Sequence, residues 1–385
     1  MTDLTTLFTP KSPDKAGIVS WVHFGDLHMT APNEGNYYYF LALIDEVNSV
    51  MASSLSFAFF PGDNADHGKA EEYEAVRGGL DRLSLPYFSI VGDHDVHSGS
   101  FDNYLRYMMP VTNFRFALDS YSFVGLNAFA TADPKCFDVS DDQLRWTDHL
   151  LASAEAEGLR SVIFLHCYPS DLGESADVLG NLIRKYGVLL VDMGHTHYNE
   201  IANDGHTLYT VTRSTGQIEE GPVGFSITNL DHGVVSWRFK ELGEWPFAMI
   251  TSPSDERLMT DSSVASLPAQ KSIRVRVKIW HDAAIRVVSA QLPGRQVELH
   301  NVPGTQVWEG EISTTSLAAG VYPLYVYAED DGERAAEATI RLQIGGAAHV
   351  LRKRAKRDQD NALGAWPEHG LLGTQLGPNK NGRKW

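Results

Sequence analysis

Within the first 200 residues of this sequence, aspartate and histidine, together or histidine alone, recur at five places, each directly behind a short apolar run. IVSWVHF leads into GDLH, which supplies Asp26 and His28. SFAFFP leads into GDNADH, with Asp63, Asp66 and His67, and PYFSIV leads into GDHD, with Asp93, His94 and Asp95. SVIFL ends at His166, and VLLVDM runs into GHTH, with His195 and His197. One Gly-Asp behind a strand is ordinary turn chemistry, and a lone histidine is more often a hydrogen-bonded core residue than a ligand. Five such signals at strand ends argue for a common site, because ligands of an open α/β sheet bind in the crevice beyond the carboxyl ends of its strands. Mixed imidazole and carboxylate suit zinc, manganese and iron. Asp26, His28, Asp63, Asp93, His166, His195 and His197 are too many ligands for one tetrahedral ion. Two ions sharing a carboxylate fit better, and a pair roughly 3.5–4 Å apart is the usual machinery for in-line displacement at phosphorus.

The formal net charge of −17 argues against a broad grip on nucleic acid or anionic membrane, which needs Lys and Arg facing phosphate. A small phosphoester substrate then needs a local source of positive charge, which two metal ions provide. Cys136 and Cys167 are too few for a disulfide framework and lack zinc-site spacing. The N-terminal stretch has no cationic start followed by an apolar core, and no apolar run reaches the roughly 18–20 residues of a membrane span. A soluble protein of a reducing, cytoplasmic compartment is the expectation.

The elements that must position these residues follow from periodicity. Short apolar runs alternate with amphipathic ones from residue 18 to about 240, the pattern of an α/β domain. Strands are predicted at the five runs above, at YSFVGL and LYTVT, and in the hairpin FSITNLDHGVVSWRFK. Helices are predicted at KAEEYEAVRGGLDRL and DDQLRWTDHLLASAEAEG, the second opened by a Ser140/Gln143 capping box and stopped near Gly158. From about 270 to 345 the chain alternates in period two, as in SIRVRVKIW, which predicts a small antiparallel β-sandwich of immunoglobulin-like type. The expected domains are therefore 1–245, α/β; 246–345, all-β; and a tail, 346–385, holding eight Lys or Arg against three acids.

The series GDLH, GDNAD, GDHD, LHCYP and GHTH, in this order, resembles the calcineurin-like metallophosphoesterase superfamily over about residues 18–241. Its nearest flavour is the bacterial branch of class III cyclic-nucleotide phosphodiesterases. The resemblance implies a four-layer αββα sandwich with a dinuclear centre of Mn, Fe or Zn, divalent or mixed-valence, at one edge of the sheets. It implies that Asp26, His28 and His197 hold the first ion, that Asp63 bridges, and that His166, His195 and Asp93 hold the second. His94 would contact the scissile phosphate or protonate the leaving group, with Asp95 orienting it, and a metal-bridging hydroxide would attack.

Position 93 departs from the family pattern, which has Asn there. Asp26, Asp63 and Asp93 leave about +1 on two divalent ions where an Asn leaves about +2, a site that binds cations more tightly and polarises phosphate less. The outcomes open are an enzyme with a different metal preference, which is favoured, a slower enzyme, or a silenced metal-holding scaffold. Asp66 argues against the purple acid phosphatase variant, with its Tyr ligand near here. The resemblance tilts the substrate towards phosphodiesters over phosphomonoesters. His67, His97 and the cluster Asn36–Phe40 are candidates for the pocket wall. The sandwich is expected to pack on the catalytic domain, to dimerise or to recognise a partner. The basic run at 352–357 is more often solvated than bound, and the Trp-containing segment after it is apolar enough to fold back over the catalytic domain and close the site.

Overall fold

The computed structural model describes residues 9–261, 271–345 and 358–374, so the chain's first eight residues and the basic run at 352–357 lie outside the described residues. In the first domain the strands are β1 (Ile18–His23), β2 (Phe57–Phe60), β3 (Tyr87–Ser89), β4 (Phe114–Leu118), β5 (Tyr121–Gly125), β6 (Arg160–Phe164), β7 (Leu190–Met193), β8 (Glu200–Asn203), β9 (Leu208–Val211), β10 (Gly224–Asp231) and β11 (Val234–Glu241). The helices are α1 (Gly35–Glu46), α2 (Ala70–Leu80), α3 (Asp102–Tyr107), α4 (Asp141–Ala156) and α5 (Ala176–Lys185). No helix among the described residues is long and apolar enough to cross a membrane.

The strands form a five-stranded sheet in the order β11-β10-β1-β2-β3 and a six-stranded sheet in the order β4-β5-β6-β7-β9-β8. β1, β2 and β3 run parallel, as do β5, β6, β7 and β9, while hairpin partners make the antiparallel edges. Parallel strands covered on both faces read as unbroken apolar runs, and every residue of β1, β2 and β3 is buried. The two sheets meet through aromatic rings: Trp21 stands 5.9 Å from Phe123, and Phe59 stands 4.1 Å from Phe164. One polar knot crosses this core. Trp21 Nε1 donates to Asp192 Oδ2 at 2.9 Å, and His23 Nδ1 and Thr210 Oγ1 bond its Oδ1 at 2.9 and 2.8 Å. His23 is thus a core histidine held by its Nδ1, although it too ends a strand, and its buried Nε2 has no hydrogen-bond partner among the described residues.

The cluster Asn36–Phe40 lies in α1 rather than in a pocket wall as a unit. Phe40 is buried against Phe24 and Phe60, with ring centroids 6.1 and 6.0 Å away, whereas Tyr38 and Tyr39 are exposed. α4 packs on β5 and β6 and against α5. Its capping is half of what the sequence predicts. Ser140 Oγ accepts from Gln143 N at 3.3 Å, but the buried Gln143 side chain bonds both backbone groups of Asn127, at 2.8 and 2.9 Å, instead of reaching back. Gln143 therefore pins the loop leaving β5.

The second domain comprises β12 (Phe247–Ser252), β13 (Ser272–Trp280), β14 (Ile285–Leu292), β15 (Arg295–Glu298), β16 (His300–Asn301), β17 (Val307–Ser313), β18 (Gly320–Asp330) and β19 (Ala335–Ile344). They form two antiparallel four-stranded sheets, β12-β13-β17-β16 and β15-β14-β18-β19, around a core that includes Val275, Val277, Ile279, Val288, Leu324 and Val326. β13 leaves Arg274 exposed but buries the polar positions of its second half. Arg276 pairs with Asp231, Lys278 Nζ bonds Ser20 Oγ, Ser54 O and Asp14 Oδ2 at 2.8–2.9 Å, and Trp280 Nε1 donates to Ser54 Oγ at 2.8 Å. Burial lowers the Lys278 pKa, and Asp14 opposes that shift. Buried charges paired this closely hold the sandwich to the first domain.

The segment 358–374 folds back on the first domain beside β8. Leu363 N donates to Ile201 O at 2.7 Å, Leu363, Trp366 and Leu371 join the main core, and the Arg257 guanidinium lies 3.4 Å from the Trp366 ring. Asp358 and Ser170 exchange two hydrogen bonds at 2.9 and 3.0 Å, Asn199 Nδ2 donates to Gly370 O at 2.9 Å, and Thr374 bonds Glu220. The segment thus braces the loops that follow His166 and His197.

Candidate metal centre

The loops leaving β1, β2, β3, β6 and β7 converge at one end of the two sheets. Two groups of side chains meet there. Asp26, His28, Asp63 and His197 bring their ligand atoms within 4.8 Å of one another, and so do Asp63, Asp93, His166 and His195. Asp63 belongs to both. Its Oδ2 lies 3.6 Å from His28 Nε2 and its Oδ1 lies 3.5 Å from His166 Nε2. In the first group His28 Nε2 and His197 Nε2 face each other at 2.9 Å, and His197 Nε2 lies 3.6 Å from Asp26 Oδ2. In the second, Asp93 Oδ1 lies 3.1 Å from His166 Nε2 and 3.2 Å from His195 Nδ1.

The backbone is bent to achieve this. His28, Asp63, His195 and His197 hold φ of 41°, 50°, 71° and 64°, left-handed values that cost a side-chain-bearing residue about 1–3 kcal/mol each. Such strain persists only where the surroundings over-determine it. Ser214 Oγ and the backbone N–H of Thr215 and Gly216 all donate to Asp26 O, at 2.8–3.1 Å. Asn36 Nδ2 donates to His28 O at 2.6 Å, and His195 N donates to Asp26 Oδ2 at 2.8 Å. Gly92 allows a close approach to the shared carboxylate: a Cβ there would lie 2.1 Å from Asp63 Oδ1.

The electrostatics call for a cation. Burial and Asp93 push the Asp63 carboxyl up, yet His166 and His28 bring it down to about 2. Burial likewise opposes ionisation of Asp93, and its bonds to His166 and His195 hold it far below the usual carboxylate range. Burial would neutralise His166, but Asp63 and Asp93 raise it well above its ordinary value. Asp26 Oδ1 is buried with no hydrogen-bond partner among the described residues. An orphaned carboxylate oxygen, two imidazole nitrogens 2.9 Å apart and a carboxylate facing both groups fit metal ions. Ligand atoms at right angles on one ion with 2.0–2.1 Å bonds stand about 3 Å apart.

The partners of the outer ring nitrogens set the imidazoles. His166 Nδ1 donates to Pro61 O at 2.8 Å, which leaves Nε2 free towards Asp93. His94 Nδ1 donates to Asp66 O at 2.7 Å, and its backbone N–H donates to Asp63 Oδ1 at 2.9 Å. The expectation that Asp95 orients His94 is corrected here. Asp95 is buried and accepts from Asn64 N, Asn64 Nδ2, Ala65 N, Tyr73 Oη and Gly92 N at 2.7–3.1 Å, so it ties the β2 and β3 loops together. Burial and Asp63 push its carboxyl up to about 6 despite those donors. Its role is structural because a side chain pointing back into the turn cannot also reach the His94 ring. The carboxylate beside the histidines is that of Asp66, with Oδ1 3.1 Å from His28 Nδ1 and 3.5 Å from His94 Nδ1. Replacing Asp66 by alanine is expected to weaken metal retention about 10–100-fold, as losses of ligand-orienting partners do, measured by competition with a chelator.

Four neighbours complete the surroundings. His67 is half exposed and bonds Glu72 at 3.0 Å, and the exposed His97 lies 4.4 Å from His94, ring to ring. Phe137 packs on His195 at 5.1 Å. Gln217 was not among the sequence-based candidates. Its Nε2 donates to Asp66 Oδ1 at 3.1 Å and lies 3.1 Å from His28 Nδ1. Its signal was the polar run TRSTGQ at the carboxyl end of β9, a sixth strand end that carries neither Asp nor His.

Residues 20–199 match the family model of calcineurin-like phosphoesterases. No curated protein sequence matches. Among solved structures, a dimetal phosphatase from Danio rerio is similar at 14% identity and TM-score 0.50, covering 59% of this chain and 97% of that one. A purple acid phosphatase from yellow lupin (Lupinus luteus) seeds matches at 14% identity and TM-score 0.46, over 60% of this chain and 53% of that one.

Proposed function

We propose that this chain, whose residues 20–199 match the family model of calcineurin-like phosphoesterases, is a member of that family and a two-metal phosphoric ester hydrolase that prefers phosphodiesters. The observation that carries the reading is Asp63, whose two oxygens face separate donor groups. Asp26, His28 and His197 would hold one ion with it, and His166, His195 and Asp93 the other. Nitrogen and carboxylate donors suit manganese, iron and zinc. Bound there, such ions would supply Lewis acidity towards a phosphoryl oxygen and an activated water.

The chain's own residues do the rest. With Nδ1–H donating to Asp66 O, the His94 ring, once protonated, would donate Nε2–H to a phosphoryl oxygen or pass that proton to the leaving group. Asp95 and Gly92 keep the β2 and β3 loops in register, and Asp66 and Gln217 keep His28 turned. The diester preference rests on the likeness of the motif series to the cyclic-nucleotide phosphodiesterase branch, and we read the sandwich as immunoglobulin-like, with its outer sheet left for association with a second copy. The reading keeps the chain in the cytoplasm, its two cysteines as thiols.

The test is hydrolysis of bis-p-nitrophenyl phosphate beside p-nitrophenyl phosphate by protein loaded separately with manganese, zinc or iron. Faster turnover of the diester is expected. Two ions bound per chain with neither ester cleaved would overturn the enzyme reading in favour of a silenced scaffold. Asp93→Asn is expected to release metal faster while raising turnover per loaded site, because the amide removes one negative charge from the second ion.

A further inference from the structure

We infer that the turn after β3 holds a third, exchangeable transition-metal ion, on Asp93, His94 and His97. Asp93 precedes a single tight turn, His94–Val96, closed by the His97 N–H donating to His94 O at 3.2 Å. In so tight a turn residues three apart eclipse. His94 and His97 are three apart. Their side chains accordingly lie together, with the two imidazole centroids 4.4 Å apart and the ligand atoms of all three residues within 4.8 Å of one another.

Each residue has a donor atom to spare. Asp93 spends Oδ1 on His166 and His195, and no hydrogen bond among the described residues reaches its Oδ2. His94 uses Nδ1–H on Asp66 O, which makes Nε2 its lone-pair nitrogen. No hydrogen bond among the described residues involves the exposed His97 ring. An asparagine at 93 has only one oxygen and would have spent it. The carboxylate at this position adds a second lone-pair oxygen to a residue that already brings a carboxylate oxygen within 4.8 Å of ring nitrogens of His94 and His97, which gives Asp rather than Asn at 93 a chemical consequence beyond the charge of the second ion.

Three ligands on a partly exposed turn bind less tightly than four on buried loops, so the third ion fills last and leaves first. It would also occupy His94 Nε2, the atom assigned to the substrate, so that metal in excess slows ester hydrolysis; this consequence rests on the proposed function, whereas the site itself does not.

The experiment is equilibrium dialysis of the full chain against rising free Mn(II) or Zn(II), counting metal per chain, for the wild type, His97→Ala and Asp93→Asn. His97 is exposed, so its replacement leaves the core untouched, which circular dichroism checks. The wild type is expected to bind two ions and then a third at least about tenfold more weakly, and both variants to lose that last step. Saturation of the wild type at two ions, or a third step that survives His97→Ala, overturns the inference and leaves the dinuclear reading standing. Failure of the first two ions to bind overturns the dinuclear reading, and the His97-dependent step remains measurable by itself.

Discussion

Replacing His94 by alanine is expected to slow ester hydrolysis by about 10²–10⁴-fold, the usual contribution of a positioned acid or base, while the two tightly held ions stay in place. The backbone N–H of residue 94, which donates to Asp63 Oδ1 at 2.9 Å, survives the substitution, so the shared carboxylate keeps its orientation. What is lost is the ring whose Nδ1 is fixed on Asp66 O. If the ring protonates the departing oxygen, the loss is larger for a poor alkyl or phenyl leaving group than for p-nitrophenolate, which needs little help. If the ring only binds the phosphate, KM rises and the leaving group does not matter. A loss below tenfold for every ester, with metal content unchanged, would remove His94 from the reaction.

The strand ends were legible because the chemistry sits in short local motifs: GDLH, GDNAD, GDHD and GHTH each place their polar residues within five positions of an apolar run. What the sequence hid depends on which way a side chain points within such a loop. Asp95 and Asp66 each sit near His94 in the chain or in space, and only the turn's geometry turns Asp95 inward to five donors and leaves Asp66 beside the imidazoles. Gln217 was missed because it is a neutral amide in a loop with no ligand of its own. The alternation SIRVRVKIW correctly reads as a strand, but period two cannot tell solvent from a second protein surface, so the burial of Arg276, Lys278 and Trp280 was not foreseeable. The apolar content of the last segment did signal docking. Its place beside Ser170 and Asn199 depends on long-range contacts that no local pattern encodes.

Gly92→Ala is expected to empty both halves of the centre at once. An ideal Cβ at this position would lie 2.1 Å from Asp63 Oδ1, 2.2 Å from Asp63 N and 2.8 Å from Asp63 Cγ, all inside the 3.0 Å that carbon contacts respect. Neither side can give way freely. Gly92 N is held by Asp95 Oδ2 at 2.9 Å, and Asp63 already sits at a left-handed φ of 50° with its backbone carbonyl accepting from His28 N at 2.8 Å. The methyl must therefore displace the one carboxylate that faces both donor groups. Overpacking of this kind costs about 1–3 kcal/mol of stability, and a misplacement of about 1 Å at a reacting centre costs on the order of 10²-fold in rate. Gly364→Ala is the matched control: like Gly92 it lies outside the left-handed region, and nothing lies within 4 Å of its would-be Cβ, so it adds the methyl without the collision. Metal counts and turnover measured on both variants separate the two effects. Loss of both ions in Gly92→Ala alone assigns the centre to the fit between Gly92 and Asp63, whereas two ions retained in Gly92→Ala would mean that Asp63 is not the carboxylate they share.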